Sequence, residues 1–329
     1  MTRPTVTDLD PRGLPAGIHE QWLHVVDDAL GLPVRVPVLV ARGAQEGPVM
    51  GLTGAVHGDE LNGVASIHRL FSKLDPQKLS GTVLAIPVVN ASAYHSHQRR
   101  TLPGFDLNHH FPGDPAGNDV QVYAYRLLTR FVRHLDGLLD LHTASRGRAN
   151  CLYVRADLSQ DATARMAYLQ RPHLILHNPA SDGTLRGAAS ELGVPAITVE
   201  VGNSGRFQPD FVRRSVVGIR SVLADWGMIR KRPMDLGPEP VLCSESRWLY
   251  ADQGGLLRVL PKVTDWVEAG EVIARLVDPF GGVTAEYRAP YAGVVIGRSV
   301  DPVAATGARI LHLGRPAPKR SPFVRRPDA

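Results

Sequence analysis

Short apolar runs broken by turns recur along the first two-thirds of the chain. Residues 22–26, 34–40, 49–52, 81–90, 137–142, 151–154 and 196–201 read as strands. The run holding Leu138, Leu139 and Leu141 is apolar at successive positions, which is the pattern of a strand covered on both faces. Pro37 places residues 34–40 at a sheet edge, because proline brings no N–H to a ladder. Stretches of helical period alternate with these runs. One follows Glu60. Another, 119–135, takes Asp119 as its cap and sets Val122, Tyr125, Leu128, Val132 and Leu135 on a shared face. Residues 161–169 and 209–226 are further helices. Residues 91–118 form a long polar loop, and loops of that length in compact domains commonly carry function. Strands alternating with helices predict an α/β domain with a mostly parallel or mixed sheet.

The pattern changes at residues 231–240, whose Lys, Arg, Pro and Gly are linker chemistry. After it, 248–251, 255–260, 271–277, 284–289 and 293–297 read as short strands between Gly, Pro and Asp turns, a small all-β domain. The boundaries predicted are 1–237 for the α/β domain, 238–316 for the all-β domain and 317–329 for a basic disordered tail. Residues 267–273 and 289–295 resemble the biotinyl/lipoyl-type β sandwich. The lysine those carriers modify is missing from the turn at 278–282, so a structural or substrate-gating module is expected, without a swinging cofactor.

Composition narrows the partners. The chain has 329 residues, 43% hydrophobic, and a net charge of +5. Arg315, Lys319, Arg320, Arg325 and Arg326 against Asp328 put most of that charge in the tail. The folded part is close to neutral, which gives nucleic-acid binding little support. The two cysteines, Cys151 and Cys243, are too few for a disulfide framework or a cysteine-rich metal site, and are expected to be reduced thiols. The polar start has no apolar signal core. No run approaches the ~20 residues of a membrane span. A cytoplasmic protein is expected, acting on a small molecule and with no nucleic-acid or membrane partner. A homo-oligomer stays open.

The candidate chemistry begins in 54–63, Gly-Ala-Val-His-Gly-Asp-Glu-Leu-Asn-Gly, read as a strand end, a tight glycine loop and a helix start. His57 and Glu60 are three residues apart there. An imidazole and a carboxylate presented together are two of the three protein ligands that a catalytic zinc needs; the plain alternative is a solvated loop pair. His142 ends the apolar run at 137–142, at the carboxyl end of a strand, where open α/β sheets place their ligands. Asp140, two residues earlier, is suited to orient that imidazole. Glu200 emerges from the apolar run at 196–201. A carboxylate there needs a reason, and a general base beside a metal-activated water supplies one.

Four motifs in order then carry a resemblance over most of residues 20–315. They are Gly-x-x-His-Gly-x-Glu at 54–60, Arg-x-x-Pro at 100–103 ahead of Asn108 and Phe-Pro-Gly, Asp-Leu-His-Thr at 140–143, and Glu-x-Gly at 200–202. Together they resemble the succinylglutamate desuccinylase/aspartoacylase family of the zinc carboxypeptidase-like superfamily. The resemblance implies a zinc-carboxypeptidase-like mixed-sheet catalytic domain. It implies one zinc ion held by His57, Glu60 and His142, with Glu200 as general base and proton shuttle. It implies that Arg100 polarises the scissile carbonyl. Family members usually read Asp-Leu-Asn-Arg where this chain has Asp106, Leu107, Asn108 and His109. Asn108 is retained as a substrate contact. His109 cannot offer the bidentate fork of an arginine. Arg146 and Arg148 are candidates to replace that charge, with exposed loop arginines as the equal alternative. His95, His97, His109 and His110 make a His-rich loop for which a solvated or substrate-facing role is expected. The activity implied is zinc-dependent hydrolysis of the amide in a small N-acyl amino acid or N-acyl amine. A peptide-trimming metallocarboxypeptidase and a non-catalytic small-molecule binding protein are the alternatives.

Overall fold

The structure is a computed structural model that describes residues 3–101, 104–179, 183–231 and 238–318. Leu102 and Pro103 of the Arg-x-x-Pro motif, the boundary at 237 and all but two residues of the tail lie outside the described residues. Among the described residues fourteen strands form one mixed sheet. Its centre is parallel. Ser80–Ile86, Gln45–Gly54, Gly137–Ala144 and Ala196–Asn203 lie side by side in that order. Leu152–Ala156 runs antiparallel to Ala196–Asn203, and Leu174–His177 lies beyond it. On the other flank Pro33–Arg42 and Gly17–Asp27 add antiparallel strands.

The central strands are covered on both faces, as their apolar runs predict. Leu139 and Leu141 pack with Ile67, Leu70, Ile219 and Val222 on one side. Leu138 packs with Leu84, Leu127 and Phe131 on the other. Period-two alternation sorts the polar residues as well. In Ala196–Asn203 the apolar Ile197, Val199 and Val201 join the first core, which leaves Thr198 and Glu200 for the opposite face.

Differences from the sequence reading have local causes. Pro37 is not on an edge strand, since Pro33–Arg42 lies between two neighbours; it falls in the half that pairs with Gly17–Asp27 alone, because Ser80–Ile86 reaches only Leu39–Arg42. The helix expected over 119–135 is Asp119–Arg130 followed by a 3-10 turn. Its cap is Asn118, in a reciprocal box with Gln121. Leu174–His177 and the helix Leu185–Glu191 were too short for their periodicity to announce them.

The all-β segment is present, but hydrogen bonding does not break where the composition does. Val241–Tyr250 pairs in parallel with Leu174–His177, and Arg309–Pro316 and Gly293–Ser299 extend the same sheet. A second sheet of four strands closes over a separate core around Ile273, Leu276 and Ile310. Gly293–Ser299 also pairs with Arg148–Asn150, so the two segments meet at a loop of the α/β part. No described helix is long and apolar enough to cross a membrane.

The glycine motif has no room for side chains. A Cβ on Gly58 would sit 2.0 Å from the Ala93 carbonyl, and one on Gly63 would sit 2.8 Å from the Leu141 Cβ. Ala55 takes a left-handed conformation (φ 46°) where the chain leaves the strand. Buried Asn62 then ties this loop to the strand of Glu200. Its Nδ2 donates to the Val201 carbonyl at 2.8 Å, and its Oδ1 accepts from the Gln208 N–H at 2.9 Å. Asn62→Ala leaves both groups without these partners, so it should cost ~1–3 kcal/mol. Urea unfolding measures this, and a loss well under that range would show that water replaces the asparagine.

Candidate active site

Loop 55–61 delivers His57 and Glu60, and the strand Gly137–Ala144 delivers His142. Glu60 is fully buried and is shared by both imidazoles. His57 Nδ1 lies 2.9 Å from Oε1, and His142 Nδ1 lies 3.1 Å from Oε2. The Thr143 N–H donates to Oε2 at 3.0 Å. Burial alone would raise the Glu60 carboxyl, but His57 and His142 outweigh it and hold it well below the usual range. One ligand atom from each of the three residues lies within 4.8 Å of the others.

The outer nitrogens are also held. His142 Nε2 is 2.8 Å from Asp140 Oδ2, and Asp140 Oδ1 accepts from Thr53 at 2.7 Å. His57 Nε2 is 3.2 Å from Asp106 Oδ1. A carboxylate at Nε2 fixes each ring and leaves Nδ1 as the inward ligand atom. Two imidazoles and a carboxylate arranged in this way fit zinc with an open fourth position. Against the opposing effect of burial, Glu60 and Asp106 raise the His57 pKa, and Asp140 and Glu60 raise that of His142 further.

Glu200 stands beside His142 by strand register. Its Oε2 accepts from Asn150 Nδ2 and its Oε1 from the Tyr153 hydroxyl, both at 3.3 Å; the Arg155 guanidinium lies 3.7 Å from Oε1. Burial raises the Glu200 pKa more than Arg155 lowers it, and the Glu60 charge adds to the rise.

The guanidinium against the cluster belongs to Arg99. It donates to Asp106 Oδ2 at 2.9 Å, Ser145 Oγ at 2.9 Å and Glu60 Oε1 at 3.3 Å. Arg100, the residue the motif pointed to, is exposed and lines the same cavity, which measures about 600 Å³. The Arg99–Asp106 ion pair ties the loop so that Arg99 turns inward. Asn108 and His109 also line the cavity. Asn108 Oδ1 accepts from the Leu185 N–H at 2.9 Å, and the His109 side chain is 62% exposed. Arg148 lines the cavity, whereas Arg146 is exposed and stands outside its lining.

Several lining residues escaped the sequence reading. Arg155 had a usable signal, being a charge in the apolar run at 152–156, the same argument that singled out Glu200. Asp106 stood in a motif already in view. Trp248 and Arg309 come from the all-β segment and carried no signal.

Fold and site together define a class: a mixed-sheet α/β protein with a buried cluster of two imidazoles and one carboxylate, able to hold a metal ion, at the carboxyl ends of central strands. Residues 46–225 match the model of the succinylglutamate desuccinylase/aspartoacylase catalytic domain, and the chain belongs to that family. It is 29% identical over 306 residues, 88% of each chain, to an N-alpha-acetyl-L-2,4-diaminobutyric acid deacetylase of Halomonas elongata. Its fold is similar to that of the product-bound ectoine utilization protein EutE (DoeB) of Ruegeria pomeroyi, with a TM-score of 0.84 at 23% identity over 92% of this chain and 97% of that one. A succinylglutamate desuccinylase/aspartoacylase of Rhodobacter sphaeroides is similar too, with a TM-score of 0.83 at 23% identity, covering 92% and 97%.

Both imidazoles hold protons above their ordinary range and must release them to bind a metal. Zinc affinity should therefore fall as pH is lowered, starting above the ordinary imidazole value of about 6.5. Asp140→Asn should weaken zinc binding ~10–100-fold. Calorimetric titration from about pH 8 to about pH 5.5 measures both, and an unchanged affinity in the variant would remove Asp140 from the site.

Proposed function

We propose that the protein hydrolyses the amide bond of a small N-acyl amino acid or N-acyl amine, with one zinc ion held by His57, Glu60 and His142. The observation that carries this reading is the register of Glu200 against His142, which sets a buried carboxylate next to a buried three-ligand cluster. A bound zinc supplies Lewis acidity and a water with a pKa near ~7. Glu200 takes the proton of the attacking water at a carboxylate oxygen and returns it to the leaving nitrogen. A raised pKa suits a group that must both accept and give back. Tyr153 and Asn150 hold the carboxylate in place, and Arg155 keeps its charged form accessible.

Arg99 takes the part first assigned to Arg100. Its guanidinium is placed to steady the acyl oxygen as negative charge develops, and Asp106 and Ser145 preorganise it for that. Asn108, His109 and Arg148 form the substrate-binding part of the cavity; Arg146 has no place in it. The cavity size and the Trp248 wall favour a small substrate over a peptide. The all-β segment, read as a biotinyl/lipoyl-like sandwich, acts as that wall and not as a carrier. The buried free thiols of Cys151 and Cys243 suit a reducing compartment, and we place the protein in the cytoplasm.

Zinc-loaded protein assayed against N-acetyl, N-formyl and N-succinyl amino acids tests the reading, which fails if no amide is cleaved. Glu200→Gln should keep zinc and lose ~10²–10⁴-fold in kcat. Arg99→Ala should lose ~10²–10³-fold, with Arg100→Ala costing much less. If the order of the two arginines is reversed, the oxyanion assignment returns to Arg100.

A further inference from the structure

Arg148 and Arg309 reach the cavity from different segments. Arg148 comes from the short strand Arg148–Asn150, and Arg309 begins the strand Arg309–Pro316. Both lie over the Trp248 ring, with Cζ 5.4 Å and 5.2 Å from its centroid. The His312 ring stacks on Trp248 at 4.8 Å and 8°, so one indole face is already covered and the guanidinium groups share what remains. His312 is buried and is held neutral by burial and by Arg155, Arg309 and Arg148, so it contributes no counter-charge. Arg12, Arg165, Arg275 and Arg315 each have a carboxylate partner. Among the described residues, neither Arg148 nor Arg309 has a carboxylate within salt-bridge reach. Two like charges on one ring inside a cavity, with no counter-ion, favour an anion between them. A guanidinium fork takes a carboxylate in bidentate fashion.

We propose that Arg148, Arg309 and Trp248 form an anion subsite, shared between the two segments, for a substrate carboxylate remote from the scissile amide. The inference rests on the hydrolase reading above. It makes the preferred substrate an N-acyl compound with an anionic far end. It also disfavours a cationic side chain such as the one named for the Halomonas relative. Neither arginine is hydrogen-bonded to His57, Glu60 or His142, so the subsite acts on binding and discrimination.

N-acetyl-L-glutamate and N-acetyl-L-glutamine differ only in the remote group. Wild type should favour the carboxylate roughly ten- to hundredfold in kcat/KM, the range of a charged hydrogen-bond pair. Arg309→Ala should bring that ratio close to one, mainly through KM. Arg309→Lys, which keeps the charge and loses the fork, should retain part of it. Arg309→Glu should turn the preference towards Nα-acetyl-L-2,4-diaminobutyrate. A wild-type ratio near one, or a ratio unchanged in Arg309→Ala, overturns the subsite. Calorimetry with glutarate separates this inference from the hydrolase reading. Binding to wild type that is lost in a folded Arg309→Ala supports the subsite even if no amide is cleaved, and equal binding to both overturns it.

Discussion

Glu60 is the constraint around which the rest of the site is arranged. An ionised carboxylate without exposure is costly unless charges and hydrogen bonds compensate it. Here His57, His142, Arg99 and the Thr143 amide all converge on it. Each of these is held in turn: His142 by Asp140, His57 and Arg99 by Asp106, and Arg99 also by Ser145. The network alternates in sign from the centre outward. The loss of one member would leave a buried charge unpaired, so the constellation is rigid. Rigidity of this kind is what a metal-ligand set and a preorganised oxyanion partner both require.

The sheet makes this convergence possible. Loop 55–61 leaves the strand Gln45–Gly54, which neighbours the His142 strand, which in turn neighbours the Glu200 strand. Parallel register puts all three strand ends at one level, and period two selects which side chains share a face. Asn62 then fastens the loop to the far end of the Glu200 strand. The all-β segment continues the same sheet and brings Trp248 and Arg309 to the cavity. The composition break near residue 238 therefore marks a change of secondary structure without isolating a separate wall from the site.

Much of the fold and the site was legible in the chain. The apolar runs at 137–142 and 196–201 betrayed buried strands because both faces had to be apolar, and the polar residues that interrupted them, Asp140, His142 and Glu200, stood out for that reason. Legibility ended where an element was too short to show a period, as in Leu174–His177, and where a cap depended on a hydrogen-bond exchange, as between Asn118 and Gln121. Arg99 and Arg100 show the same limit. Adjacent residues of the same type are equivalent in composition, and only the ion pair with Asp106 decides which one turns inward.

By itself the sequence determined the α/β order of the first part, the all-β character of the second, and the residues of the cluster, because local periodicity and ligand-type residues at strand ends are properties of neighbouring positions. Only the tertiary structure decided that Asp106 backs His57, that Arg148 faces the cavity while Arg146 faces water, and that Trp248 and Arg309 meet Arg148 across 61 and 100 or more intervening positions. These are contacts between distant segments. Sheet pairing and charge compensation set them, and neither is written in the spacing of residues along the chain.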